Sequence, residues 1–360
     1  MVAFILVISI SGVTPAVAGR SWLQQPTTTV YEDRDRGVRL YQQGDFDGAT
    51  KALRAGIKRY KDDAEAWHYL GLSLAGQEKW KDARKAFEKE VALRPDSATA
   101  HANLSHTLLF TKAINEAGRE ASQALLLNAQ NAEAHYVLGV IHLQRRSCRE
   151  ALNQANDALT GQSDFPLGYL LRSQALICDI ASRSLRSWAF DGTEFKTLAV
   201  PPKLTYEERL AKGKETAMRF KEAAANLESF LKLAPLAPDA TMWKEQLETL
   251  RLYAEPADMS QASRTLFSSA EVTTKVRVLS KPEPTYTEKA RGALVEGTVV
   301  LRAVFAADGT VKNILVLNDL SGGLTARAID AARKIKFAPA IKDGRPVSTL
   351  VQLEYNFNLY

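Results

Sequence analysis

One stretch, Ala64 to Ser97, constrains this chain more than any other, because its residue types recur at a spacing of 34. With Ala64 as position 1, Trp67 stands at position 4, Leu70 at 7, Gly71 at 8, Ala83 at 20, Phe87 at 24 and Pro95 at 32. The frame from Ala98 gives His101, Leu104, Ser105, Leu108, Ala117 and Ala121, and the frame from Ala132 gives His135, Leu138, Gly139, Ala151 and Ala155. The frame before, from Val30, gives Gly37, Leu40, Ala49 and Leu53, with Gly44-Asp45-Phe46 as the turn inside it. Small residues at positions 8 and 20 let two helices approach closely, and bulky ones fill the gap between them. Such a unit cannot bury its apolar face alone, so stacking of successive units has to build the core.

The W-x2-L-G pattern, the paired Ala and Phe and the late Pro resemble a tetratricopeptide repeat, which implies an all-α solenoid of helix–turn–helix units. A fifth frame opens at Pro166 with Tyr169, Ser173 and Leu176, after which the period lapses. Residues 182–204 hold Trp188, Phe190, Phe195 and Pro201-Pro202 without helical spacing, and read as a loop inserted between the two helices of one repeat. That insert is either a binding element or decoration. A capping box, Thr205-Tyr206-Glu207-Glu208, starts a helix expected to run to about Leu233. Asp239 is the expected cap of one more, ending near Glu255-Pro256 and closing a solenoid over residues 30–255.

The start of the chain bears on compartment. Met1 to Ile10 is almost wholly apolar, Ser11-Gly12 and Thr14-Pro15 break the run, and Ala16-Val17-Ala18 offers a small-x-small site. This reads as a secretory signal peptide cut after Ala18, although no Lys or Arg precedes the apolar run. The alternative is an uncleaved anchor, since Val2 to Ala18 is near the lower limit for spanning a bilayer. Either way the expected location is periplasmic, or anchored in the inner membrane facing the periplasm. The repeat frame puts Cys148 at the start of one helix and Cys178 near the end of the next, and adjacent antiparallel helices bring such ends together. In an oxidising compartment they form a disulfide; otherwise they are two buried thiols.

Residues 256–275 turn to Ser, Ala and Thr, as in a linker. Beyond them the period becomes alternating. Val351, Leu353, Tyr355, Phe357 and Leu359 interleave with Gln352, Glu354, Asn356 and Asn358, the pattern of a half-buried strand. Val295 to Phe305 and Val311 to Leu317 are two more β-rich runs, joined by Ala307-Asp308-Gly309, while Leu324 to Ile335 has helical spacing. Residues 276–360 resemble the C-terminal domain of the TonB family through Pro284-x-Tyr286-x-x-x-Ala290, Glu296-Gly297-Thr298-Val299, Asp308-Gly309-x-Val311, Ser321-Gly322, Phe337-x-Pro339-Ala340 and Gly344-x-Pro346-Val347. The resemblance implies a small α+β domain, a three-stranded antiparallel sheet with helices. Thr287 and Ile335 depart from the family's usual Pro and Trp.

The chain contains no P-loop, HExxH, GxSxG or GxGxxG, so no enzymatic activity and no cofactor are expected. The formal charge of +6 is modest, and no basic stripe interleaved with aromatics argues for nucleic acid. His101 and His135 stand at position 4 and read as core; His68 and His106 face the groove, and His142 is isolated. No two histidines share a helix face at i, i+4, so no metal site is expected.

Binding remains. By resemblance the repeat groove is lined by Arg34, Val38, Tyr41, His68, Leu72, His106, Phe110, Tyr136 and Val140, an apolar and aromatic channel fit for a peptide, unless these side chains simply pack. The TonB family captures an extended segment of outer-membrane transporters on a sheet edge. Here the strand from Thr349 to Asn358 is the candidate edge, through Thr349, Val351, Leu353, Tyr355 and Phe357, with homodimerisation or capping by the linker as alternatives. The expected function is a periplasmic adaptor between envelope proteins, with an outer-membrane transporter as one candidate partner; the alternative is a TonB-type energy transducer anchored through the N-terminus.

Overall fold

The computed structural model describes residues 31–185, 189–190, 195–196, 206–237, 240–254, 266–267, 271–292, 294–320 and 322–359. The expected signal or anchor at 1–18, the caps Thr205 and Asp239, most of the 182–204 insert and residues 256–265 of the expected linker lie outside these. The chain divides into two compact units: described residues 31–141 with 157–163 form one, and residues 142–156 with those from 164 onward form the other.

Helices α1 (Glu32–Gln42), α2 (Phe46–Arg59), α3 (Ala64–Gly76), α4 (Trp80–Leu93), α5 (Ala98–Phe110), α6 (Ile114–Leu127), α7 (Ala132–Gln144) and α8 (Cys148–Gly161) follow the 34-residue frame. From the second frame on, each first helix covers positions 1–13 and each second helix positions 17–30. The caps obey the same period. Asp63, Ser97 and Asn131, all at position 34, accept from the backbone N–H of Ala66, Ala100 and Ala134. Position 15 is left-handed throughout: Gly44, Glu78, Lys112 and Arg146 have φ of 80°, 57°, 62° and 58°. Each lets the next N–H reach back to position 11, as from Lys79 to Leu74 O and from Ala113 to Leu108 O, so the first helix ends in a Schellman turn. Volumes at positions 8 and 24 compensate within the first unit. A Cβ on Gly71 would lie 2.5 Å from the Phe87 ring, and one on Gly37 would lie 2.5 Å from Leu53, whereas Ser105 is matched with Ala121.

The second unit carries α9 (Pro166–Leu185), the two-residue strands β1 (Ala189–Phe190) and β2 (Phe195–Lys196), which pair antiparallel, α10 (Tyr206–Leu233) and α11 (Ala240–Tyr253). Cys148 and Cys178 are joined by a disulfide, with Cα atoms 5.5 Å apart. Ser173 at position 8 donates to Ala223 O, 2.9 Å away, which keeps α9 against α10 across the insert.

The rest of this unit is β3 (Leu266–Phe267), β4 (Arg277–Ser280), α12 (Glu288–Gly292), β5 (Gly297–Phe305), β6 (Val311–Asn318), α13 (Leu324–Arg333), β7 (Lys336–Ala338), β8 (Ala340–Lys342) and β9 (Arg345–Phe357). The sheet order is β3-β9-β5-β6, with β8 also paired to β9 and a separate β4–β7 ladder. The three long antiparallel strands are those expected, and β3 and β8 extend them. Val299, Leu301, Ala303, Phe305, Leu353, Tyr355 and Phe357 pack with Leu324, Ala328, Ala332 and Ile335 into one core on a single sheet face. Ile335 thus fills the place of the family's usual aromatic at 4% exposure. Thr287 caps α12 by accepting from Ala290 N–H and donates its own hydroxyl to Gly322 O, work a proline could not do. Gly322, at φ 74°, is where a Cβ would strike Ala290 at 2.8 Å.

Candidate functional site: a repeat groove and a sheet edge

Position 4 of the repeats explains two of the histidines. Trp67 donates its indole N–H to Lys61 O, and His101 and His135 set Nε2 3.0 Å from Pro95 O and Ala129 O; all three acceptors lie at position 32 of the frame before. Imidazole here replaces the indole N–H. His101 Nδ1 also faces Glu120 Oε2 at 2.6 Å, so both ring nitrogens have an oxygen partner.

Of the expected groove residues, Leu72, His106, Tyr136 and Val140 are buried between helices, while Arg34, Val38, Tyr41, His68 and Phe110 are half-buried. Arg34 is tied to Asp35, Glu65 and Asp63. Two aromatic runs follow the inner helices. Tyr41, Tyr69 and His68 stand 5.5 and 5.1 Å apart, and Phe110, His106 and Tyr136 stand 5.2 and 5.6 Å apart, with Trp80 stacked on Phe110 at 3.9 Å. Burial, helped by Tyr69, pushes the Tyr41 hydroxyl up to about 12, so it stays a donor at neutral pH.

Carboxylates lie beneath these rings. His68 Nδ1 meets Glu90 Oε1 at 2.9 Å, and His106 Nδ1 meets Glu133. Asn103, 3.5 Å from His68 Nδ1, lies between the two pairs on α5. Glu90 stands at position 27, where the other frames have Gly56, Ala124 and Ala158. Sequence reasoning passed over it, although a carboxylate at a small-residue position was the available signal.

The sheet edges are unequal. Along β6 the outward backbone groups are already taken: Gln246 of α11 donates to Ile314 O at 2.8 Å and accepts from Val316 N–H at 2.9 Å, and Tyr253 donates to Asn313 O. Burial pushes the Tyr253 hydroxyl up and the neighbouring Arg302 guanidinium down, as expected of a closed contact. Arg333 adds an ion pair to Glu245 at 2.6 Å.

Along β9, no described strand pairs with the row from Leu350 to Asn356 on the side away from β5. Thr298 O accepts from Asn318 of β6, so Thr298 and every second residue of β5 face away from β9. Their partners in register are Asn356, Glu354, Gln352 and Leu350, whose N–H and C=O therefore point outward. Among the described residues, only Lys281 reaches this row, donating Nζ to Glu354 O at 2.7 Å while lying 4.5 Å from the Tyr355 ring centroid. Burial lowers the pKa of that ammonium. The strand β3 pairs only at Ser348 and Thr349.

The expected edge residues thus take a different part. Thr349, Leu353, Tyr355 and Phe357 are buried at 2, 5, 1 and 2% exposure, and Val351 packs partly against the same core. They hold β9 to β5, and the main chain of the alternate residues is what a partner strand would meet. Side-chain alternation reveals the buried face but not which residues turn their backbone toward β5.

Residues 34–104 match the model of the tetratricopeptide repeat, and residues 282–359 match that of the Gram-negative bacterial TonB protein C-terminal. The peroxisomal targeting signal receptor of Eremothecium gossypii is 28% identical over 92 residues, 26% of this chain and 16% of its own length. That of Candida albicans is 29% identical over 119 residues, 33% of this chain and 20% of its own length, so the chain spans a fifth or less of these relatives. Among solved structures, MamA is 22% identical, covering 56% of this chain and 92% of its own at a TM-score of 0.40. The type IV pilus biogenesis factor PilW is 14% identical, covering 62% and 87% at 0.42. This chain carries tetratricopeptide repeats and ends in a TonB C-terminal domain.

Proposed function

We propose that this chain is a non-catalytic periplasmic adaptor that joins two envelope proteins, one seated in the repeat groove and one added as a strand to β9. Both domain types are suited to protein–protein interaction. The observation that carries the reading is the inequality of the two sheet edges. An unsealed edge offers a row of unpaired backbone groups, and this fold seals one edge with a buried glutamine, while among the described residues only Lys281 reaches the row of Leu350, Gln352, Glu354 and Asn356 on the other. Main-chain bonding makes such a site tolerant of the partner's sequence.

The test places a photo-crosslinking amino acid at Leu350 in the full chain within a Gram-negative host, and records intact mass in the periplasmic fraction. A mature chain lacking residues 1–18, crosslinked to an envelope protein, is the expected result. Gln352→Pro removes an outward N–H but no bond to β5, and should lower crosslink yield at least tenfold. A full-length, membrane-bound chain would overturn the periplasmic assignment and favour an energy transducer. Crosslinking indifferent to Gln352→Pro would overturn strand addition.

A further inference from the structure

We propose that the repeat groove recognises a basic side chain, lysine or arginine, of its peptide partner, with Glu90 as the counter-charge; this rests on the groove being a peptide site. Position 27 packs against position 5 of the same repeat. A Cβ added to Gly56 would lie 3.3 Å from Arg34 N, which shows how little room that contact leaves. The second frame nevertheless puts a glutamate there, 2% exposed, bound through Oε1 to His68 at position 5. Its Oε2 is enclosed without a hydrogen-bond partner, as is Nε2 of His106 one helix turn beyond Asn103.

A carboxylate oxygen left unbonded in the interior costs free energy, and alanine, as in two of the other frames, would have avoided that cost. The cost is recovered when a cation arrives. His68 is the partly exposed member of the pair, its side chain 21% open against 3% for Glu90. A cation entering from the groove therefore meets Glu90 by displacing the imidazole. The rings of Tyr41 and Tyr69 on one side and of Phe110 and Tyr136 on the other would flank its stem. The electrostatics favour this occupant. The chain as a whole has a formal charge of +6, yet of the groove-lining residues only Arg34 is a fixed cation, and three carboxylates already hold it. Among the described groove-lining residues an acidic ligand would meet no fixed cation that is not already paired, whereas Glu90 and Glu133 offer carboxylates.

The experiment uses the full chain and an array of fluorescent nonapeptides of Ala and Leu, with one lysine moved through every position and each peptide paired with its Nε-acetylated copy. Binding is read by anisotropy. In the wild type at least one lysine peptide should bind tenfold or more tightly than its acetylated copy. Glu90→Ala should abolish the preference and keep or raise the melting temperature, and Glu90→Gln, which keeps the side chain's shape without its charge, should abolish the preference as well. Equal binding of both copies by the wild type, or a preference that survives Glu90→Ala or Glu90→Gln, overturns the basic-residue assignment while the groove stands. Should no peptide of the array bind, the groove reading fails and this inference with it.

Discussion

Replacing Gln246 with leucine is the sharpest test of how the TonB domain is held. The side chain is 5% exposed and its amide makes two hydrogen bonds to the outer edge of β6, at 2.8 and 2.9 Å. Leucine has nearly the same volume, so packing changes little, while Ile314 O and Val316 N–H are left buried without partners. Each orphaned backbone group costs about 1–3 kcal/mol, and the added apolar burial offsets roughly 1 kcal/mol, so a net loss of about 3 kcal/mol is expected. For a cooperative unit of this size that is a fall of roughly 6–12 °C in melting temperature.

The assay is urea unfolding combined with hydrogen exchange read at the Val316 amide, since a global melt alone would mix two units. Exchange at Val316 should accelerate by about two decades, tracking the lost free energy. Gln246→Glu sharpens the logic: its carboxylate still accepts from Val316 N–H but turns an acceptor toward Ile314 O, so it should also destabilise although it is nearly isosteric. If Gln246→Leu stays within about 0.5 kcal/mol of wild type and Val316 remains protected, α11 does not seal the edge and the argument for unequal edges falls.

Two further outcomes follow from local chemistry. The disulfide closes a loop across a separation of 30 residues, for which the chain-entropy relation gives about 3.6 kcal/mol; Cys148→Ser with Cys178→Ser, or reduction, should lower the unfolding free energy of that unit by this order, and an unchanged urea midpoint would refute the linkage. Asp308 accepts from Lys312 Nζ at 2.6 Å and from Thr310, which holds its carboxyl at about 2 against an ordinary 3.8. A depressed folded value means a stabilising contribution complete above pH 4 and lost as pH falls through 2. In an NMR titration Lys312→Met should move the Asp308 midpoint back up toward the ordinary value, and an unmoved midpoint would exclude the ammonium as the cause.

The repeats were legible because their constraint is steric and local: a glycine opposite Phe87 or Leu53 leaves a mark at fixed spacing. The cysteines were legible for the same reason, since the frame alone sets Cys148 beside Cys178. What escaped depends on contacts that no period encodes. Only Gly44 announces the left-handed turn at position 15, because Glu78, Lys112 and Arg146 adopt it under the force of the helices on either side. Gln246 sits on an ordinary amphipathic helix, and its role exists only once β6, some 70 residues later, lies against it. In β9 the alternation identified the core face correctly, yet assigned the edge to the residues that bind β5.

The β9 edge is itself guarded, which bears on what can occupy it. Lys281 holds Glu354 O and lies over the Tyr355 ring, with the Glu283 and Glu354 carboxylates also attracting its charge. An incoming strand must displace that ammonium, losing a charge-assisted bond of about 1.5–3 kcal/mol, before its own N–H can reach Glu354 O. A neutral strand recovers this only over several main-chain bonds, each contributing roughly 0.5–1.5 kcal/mol, so a segment pairing along the whole row from Leu350 to Asn356 can bind where a shorter one cannot. A strand carrying an acidic side chain beside Glu354 offsets part of that loss, because the released ammonium gains a further carboxylate. A lysine across an edge carbonyl therefore both discourages self-association of β9 and selects for length or acidity in whatever is added.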